Sequence, residues 1–150
     1  MGNIIRSPLA ENLFRHLVQE AGLESKYDLD SAGTGGWHAG ESPDARMRRT
    51  ASRHGLAYDG SARQVRLSDL ETFDLIVAMD EDNRQELRSM VMKPEQRRKI
   101  RLLRDYDPTA GPNASVPDPY YGGDEDFEET YRVIESGVRG LLRTLEYGEP

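Results

Sequence analysis

The run Leu75-Ile76-Val77-Ala78-Met79, bracketed by Asp74 and Asp80, constrains this chain more than any other segment. It is short and apolar on both faces, the pattern of a strand buried in a parallel sheet. Lys99-Ile100-Arg101-Leu102-Leu103 reads as another strand, and a short strand candidate runs from Tyr27 to Ser31. Helical periodicities separate and flank them. Strands alternating with helices predict an α/β three-layer sandwich on a parallel sheet, with ligands at the carboxyl ends of the strands.

The helices are read from spacing. Leu9, Leu13, Phe14, Leu17, Val18 and Ala21 recur at helical intervals after Ser7-Pro8, a cap-plus-proline start, and Gly22 stops the run. Ser42-Pro43 repeats that start for a helix ending at His54-Gly55, and another helix is expected from about Asp82 to Val91. The strongest pattern closes the chain with Phe127, Tyr131, Ile134, Val138, Leu141, Leu142 and Leu145. Between Asp105 and Asp124 there is no periodicity, and connections that long are usually functional or disordered. With no repeat or linker, residues 1–150 are expected to form a single domain.

Composition excludes several function classes. A net charge of −7 argues against a nucleic-acid binder, which needs a basic face. No apolar run reaches the roughly 18 residues of a membrane span, and no signal peptide is visible, so a cytoplasmic protein is expected, with no membrane insertion. The chain has no cysteine, which removes disulfides and thiolate metal sites. His16, His38 and His54 are too scattered for a metal site, and His54 is placed at a helix C-terminus.

Two segments carry chemistry. Gly2-Asn3-Ile4-Ile5-Arg6-Ser7-Pro8 sets a glycine turn against a helix start, where backbone N–H groups and the helix dipole favour an anion. Arg6 adds a planar fork for two phosphate oxygens. An ordinary N-cap beside a solvated arginine explains the same residues equally well. The second segment, Val116-Pro117-Asp118-Pro119-Tyr120-Tyr121-Gly122-Gly123, holds an aspartate on a backbone stiffened by two prolines. Rigid placement suits a proton donor, and the tyrosines suit an aromatic wall. A polar turn with partly buried tyrosines is the competing reading.

Taken together, these segments resemble the low molecular weight protein-tyrosine-phosphatase family. Its phosphate loop reads Cys-x-Gly-Asn-Ile-x-Arg-Ser-Pro, matched here from Gly2 to Pro8. Asp30 to Asp44, which includes Trp37, is similar to the family's tryptophan loop. Ala62 to Val65 and Phe73 to Asn83 match its central strand region, and Asp118 to Gly123 its general-acid loop. The resemblance implies a four-stranded parallel sheet flanked by helices and hydrolysis of phosphotyrosine through a phosphocysteine, without metal or cofactor. Arg6 and Asp118 would be catalytic, as phosphoryl clamp and general acid/base. The amides of Gly2, Asn3, Ile4 and Ile5, with Ser7, would cradle the phosphate. Asn3 would shape the loop, in part through Ser31, and Trp37, Tyr120 and Tyr121 would form the rim. Expected partners are a phosphotyrosine-containing protein or a small aryl phosphate, for a monomer or weak self-associating chain.

Three departures qualify that picture. The motif's cysteine falls one place before Met1, so both the nucleophile and the first strand of the fold are expected to be missing. Ile5 stands where many members carry a second, protective cysteine, and Gly60 where a histidine often precedes the Ala-Arg-Gln segment. The 150 residues are therefore expected to be inactive as they stand. They belong either to an enzyme read from an internal methionine or to a catalytically dead protein that binds phosphate or phosphotyrosine. Arsenate reduction on the same fold would need several cysteines.

Overall fold

The structure, a computed structural model, describes residues 5–36, 39–56, 58 and 60–148. The apolar run forms β1 (Ile76–Ala78), which pairs in parallel with β2 (Ile100–Leu102), Ile76 lying opposite Ile100 and Ala78 opposite Leu102. The crossover between them carries α4 (Glu81–Ser89) and α5 (Pro94–Arg98). α4 starts where it does because Asp80 caps it, its carboxylate accepting the Asn83 N–H at 2.8 Å.

Successive residues of a strand face opposite sides of a sheet, and here that alternation divides the core in two. Ala78, Ile100 and Leu102 pack with Leu70, Leu87 and Val91 under α4 and α3 (Leu67–Thr72). Val77, Met79 and Leu103 pack instead with α1 (Arg6–Glu20), α2 (Ala45–Arg53) and α6 (Asp124–Tyr147). Helices thus cover both faces, as the both-sides-apolar run requires. α1 contributes Leu9, Leu13, Phe14, Leu17 and Val18 to the larger core, each adding roughly 1.5–3 kcal/mol by burial.

Of the four strands expected in the sheet, the first of them expected to be missing, the described residues show two, and apart from these an isolated parallel bridge between Gly33 and Gln64. Tyr27 to Ser31 is no strand among the described residues, because the ladder partner that makes an extended segment a strand is not there. The segment does alternate: Tyr27 and Leu29 pack on the core while Asp28 and Asp30 are exposed.

Several helix boundaries move for local reasons. α1 begins at Arg6, so Ser7 and Pro8 lie in its first turn, and the flanking residue Ile5 gives no side-chain cap. Pro8 costs nothing there, since first-turn N–H groups have no helical acceptor. α2 is capped by Asp44 rather than Ser42, the carboxylate accepting the Arg46 N–H at 2.8 Å. Leu145, expected on the apolar stripe of α6, is 41% exposed because the helix outruns the core.

The aperiodic stretch is fixed in place by hydrogen bonds. A 3-10 turn, Leu103–Tyr106, runs against α6 where the helix has glycine at 137 and 140. A Cβ on Gly140 would stand 1.8 Å from the Tyr106 carbonyl oxygen, so only glycine allows this approach. Asp107 follows, 4% exposed, accepting from the Thr109 N–H and hydroxyl and from the Ser136 hydroxyl. Burial pushes its carboxyl up, but these bonds and Arg104 outweigh it and leave it below the usual carboxylate range. Farther on, the Val116 N–H donates to the Met79 carbonyl at 2.7 Å, bringing the acid segment to the carboxyl end of β1.

Candidate active site

Three chain segments meet at that strand end. Arg6 opens α1, Asp80 follows β1 and caps α4, and Val116 to Asp118 closes the third side. The Arg6 side chain is only 4% exposed, an expensive place for a cation unless it is paired. Its Nη1 lies 2.8 Å from Asp80 Oδ2 and donates to the Val116 carbonyl at 2.8 Å. Its Nη2 lies 3.9 Å from Asp118 Oδ2, too far for a hydrogen bond, and has no hydrogen-bond partner among the described residues. Half of a buried fork is therefore anchored and the other half is presented.

What it is presented to is a cleft of roughly 480 Å³ lined by Arg6, Asp80, Asp118 and, from α4, Asp82, Asn83, Gln85 and Glu86. Asp118 is held at its mouth by its own turn, Oδ1 accepting the Tyr120 N–H at 3.1 Å. A free guanidinium N–H and a carboxyl group face the same space. That pair can bind an oxyanion and exchange a proton with an atom attached to it.

Arg46 pins the acid segment from behind. Its Nη1 donates to the Tyr120 carbonyl at 2.8 Å, and its guanidinium lies 4.7 Å from the Phe127 ring centroid and 5.3 Å from that of Tyr120. The other nitrogens hold both oxygens of Asp44. Burial pushes the Asp44 carboxyl up, but bonds from the Arg46 side chain and backbone outweigh it and keep it below the usual range.

Several sequence-predicted residues can now be placed. Arg6 and Asp118 come together. Ile5 is buried in the main core, 5% exposed, and Ser7 is half-buried in the first turn of α1. The Ser31 hydroxyl donates to Glu11 Oε1 at 2.6 Å, linking the tryptophan-loop entrance to α1. Tyr120 and Tyr121 form an edge-to-face pair 4.9 Å apart, Tyr121 being 96% exposed, and neither lines the cleft. Gly2, Asn3, Ile4 and Trp37 lie outside the described residues. Gly60 has φ of +137°, a conformation side chains rarely adopt, so the histidine often found there would not fit this turn. His54 does end α2, where it stacks on Tyr131 and meets Glu128.

The sequence reading missed Asp80, Val116 and Arg46. Asp80 was recoverable, because it sits at the carboxyl end of the strand and the start of a helix, where α/β ligand sites form. Arg46 has a local partner in Asp44, but the contacts that tie it to the acid segment, to Tyr120 and Phe127, are remote in the chain.

The comparisons with known proteins agree on one kinship. The sequence profile described as low molecular weight phosphotyrosine protein phosphatase matches residues 1–149. A low molecular weight protein-tyrosine-phosphatase of Streptomyces coelicolor is 46% identical over 145 residues, covering 96% of this chain and 88% of the relative. Among solved structures, a protein tyrosine phosphatase from Entamoeba histolytica superposes with a TM-score of 0.92 at 38% identity, covering 99% of this chain and 94% of that one. YfkJ from Bacillus subtilis gives 0.90 at 42% identity, with 100% and 92% covered.

Proposed function

This chain belongs to the low molecular weight phosphotyrosine protein phosphatase family, and from that premise we propose that its cleft binds and processes phosphotyrosine. In this reading residues 1–150 are one domain of a phosphatase that acts on a phosphotyrosine protein or a small aryl phosphate once the motif's cysteine is present. One observation carries it: Arg6 and Asp118 line one cleft, with a buried, unsatisfied Arg6 Nη2 3.9 Å from the Asp118 carboxyl group.

The chemistry divides among few groups. In a chain that carries the motif's cysteine, its thiolate would attack phosphorus in line, and the phenolic oxygen would leave on the opposite side. Arg6 Nη2, with the amides of Gly2, Asn3, Ile4 and Ile5, holds the equatorial oxygens as charge spreads over them. Asp118 gives its proton to the departing phenolate, then takes one from the water that hydrolyses the phosphocysteine. Ser7 and Ser31 support the loop, and Trp37, Tyr120 and Tyr121, the two tyrosines outside the cleft lining, would meet the phenyl ring only at its rim.

The thiolate is the one group these 150 residues do not contain, since the chain has no cysteine. That fact favours a second reading for the chain as it stands, capture of phosphate or phosphotyrosine without turnover. Anion binding needs the arginine and the amides, and it needs no nucleophile. Hydrolysis of para-nitrophenyl phosphate separates the two. The 150 residues are expected to show no vanadate-sensitive turnover, and the same chain preceded by a strand ending in Cys is expected to gain it. An extended protein that folds, binds vanadate and stays inert would leave capture as the function.

A further inference from the structure

The cleft is built for an anion at its floor and for a cation at its wall. Asp80, Asp82, Glu86 and Asp118 line it against a single arginine. Two of these carboxylates are accounted for inside the chain: Asp80 pairs with Arg6, and Asp118 stands 3.9 Å from the same guanidinium. Asp82 and Glu86 are not. They sit one turn apart on α4, both exposed, and neither has an ion pair among the described residues, whereas the adjacent Glu81 pairs with Arg84. Asp82 lies in the first turn of α4, where its charge suits the helix dipole, but Glu86 one turn on has no such support and is a like-charged neighbour. A phosphoryl dianion brought to Arg6 would also face two further negative charges.

The second observation is independent of this wall. Arg6 lines the same cleft, and its Nη2, buried on a side chain 4% exposed, has no hydrogen-bond partner among the described residues, so the floor calls for an oxyanion. A ligand that answers both must carry its phosphoryl group and a positive charge a few ångströms apart. We propose that the Asp82–Glu86 wall selects phosphotyrosine segments with lysine or arginine beside the phosphotyrosine. This rests on the phosphotyrosine reading above and adds the sequence context of the substrate.

The wall acts across exposed solvent, so its effect is moderate. Exposed charge pairs give about 1.5-fold to fivefold in affinity for a basic over a neutral neighbour, and salt screens most of it.

The absence of a cysteine makes the test a binding measurement free of turnover. Three fluorescent phosphotyrosyl peptides, flanked on both sides by Lys/Arg, by Ala or by Glu, are titrated into the 150-residue chain, each beside its unphosphorylated form. The expected order is basic, then neutral, then acidic. The basic preference should fall away in the Asp82→Asn/Glu86→Gln variant, with the acidic peptide gaining most. It should also collapse toward roughly 1 M NaCl, where the screening length is about 3 Å. That salt series needs no variant and decides the matter if the double substitution perturbs folding. Equal affinities for the three phosphopeptides, or a basic preference that survives both the variant and the salt, overturn the wall's role and leave the phosphotyrosine reading standing. Phosphorylated and unphosphorylated peptides binding alike overturn that reading and this inference with it.

Discussion

Asp80 holds Arg6 Nη1 with one carboxylate oxygen, at 2.8 Å, and the backbone N–H of Asn83 with the other, also at 2.8 Å. One side chain therefore starts α4 and aims the arginine. Helix and clamp cannot move independently.

Removing that side chain should cost stability twice over. Asp80→Ala leaves α4 uncapped and a buried guanidinium without its counter-charge, for an expected loss of about 1–3 kcal/mol in urea denaturation. Asp80→Asn keeps the cap and an acceptor for Arg6, so it should recover a good part of the loss. Equal midpoints for the wild type and the alanine variant would show that the pair contributes nothing.

Arg46 should matter for the acid segment more than for the fold. Arg46→Ala removes the bond to the Tyr120 carbonyl and the stacking on Phe127 and Tyr120. Amide exchange is expected to speed up at Gly122, whose N–H bonds the Pro119 carbonyl at 2.8 Å, while the centre of α6 stays protected. Arg46→Lys keeps the charge but loses the fork, and should fall between the two. Unchanged exchange at Gly122 would dissociate Arg46 from the loop.

Alanine normally favours a helix interior over glycine by about 1 kcal/mol. At position 140 the sign should reverse. The added methyl would stand 1.8 Å from the Tyr106 carbonyl oxygen, so Gly140→Ala should lower stability by about 1–3 kcal/mol, read as a lower Tm.

Acid should unfold the protein through specific carboxylates. Asp44, Asp69 and Asp107 all have folded-state pKa values below the ordinary one, because hydrogen bonds and arginines outweigh the upward push of burial. Each favours the folded state above the unfolded pKa of about 3.9, and that contribution disappears as pH falls through the lower folded value. Tm should therefore drop steeply below about pH 4. In Asp107→Asn the acid limb should be shallower and the neutral-pH Tm lower, and an unaltered acid limb would remove Asp107 from the account.

Much of this was legible because it is local. The run from Leu75 to Met79 carried the fold class, and the spacing of Phe127, Tyr131, Ile134 and Val138 carried α6. α3 and α5 were passed over, although Asp69 reaching back to the Arg66 N–H and Pro94 at a helix start are standard opening signals. Both helices are too short to show a period. Arg6 and Asp118 were found through their motifs. Their juxtaposition depends on bonds spanning the chain, Arg6 to Val116 above all, and no window of sequence contains such a bond.

Val116 spends its N–H on Met79 and its carbonyl on Arg6, and Pro117 confines it to the extended backbone that points those groups apart. The link between strand end and arginine is therefore written in the main chain. Descendants of this sequence can exchange Val116 for another apolar residue of similar bulk and inherit the same aim. A proline there would silence it, for want of the hydrogen that Met79 accepts.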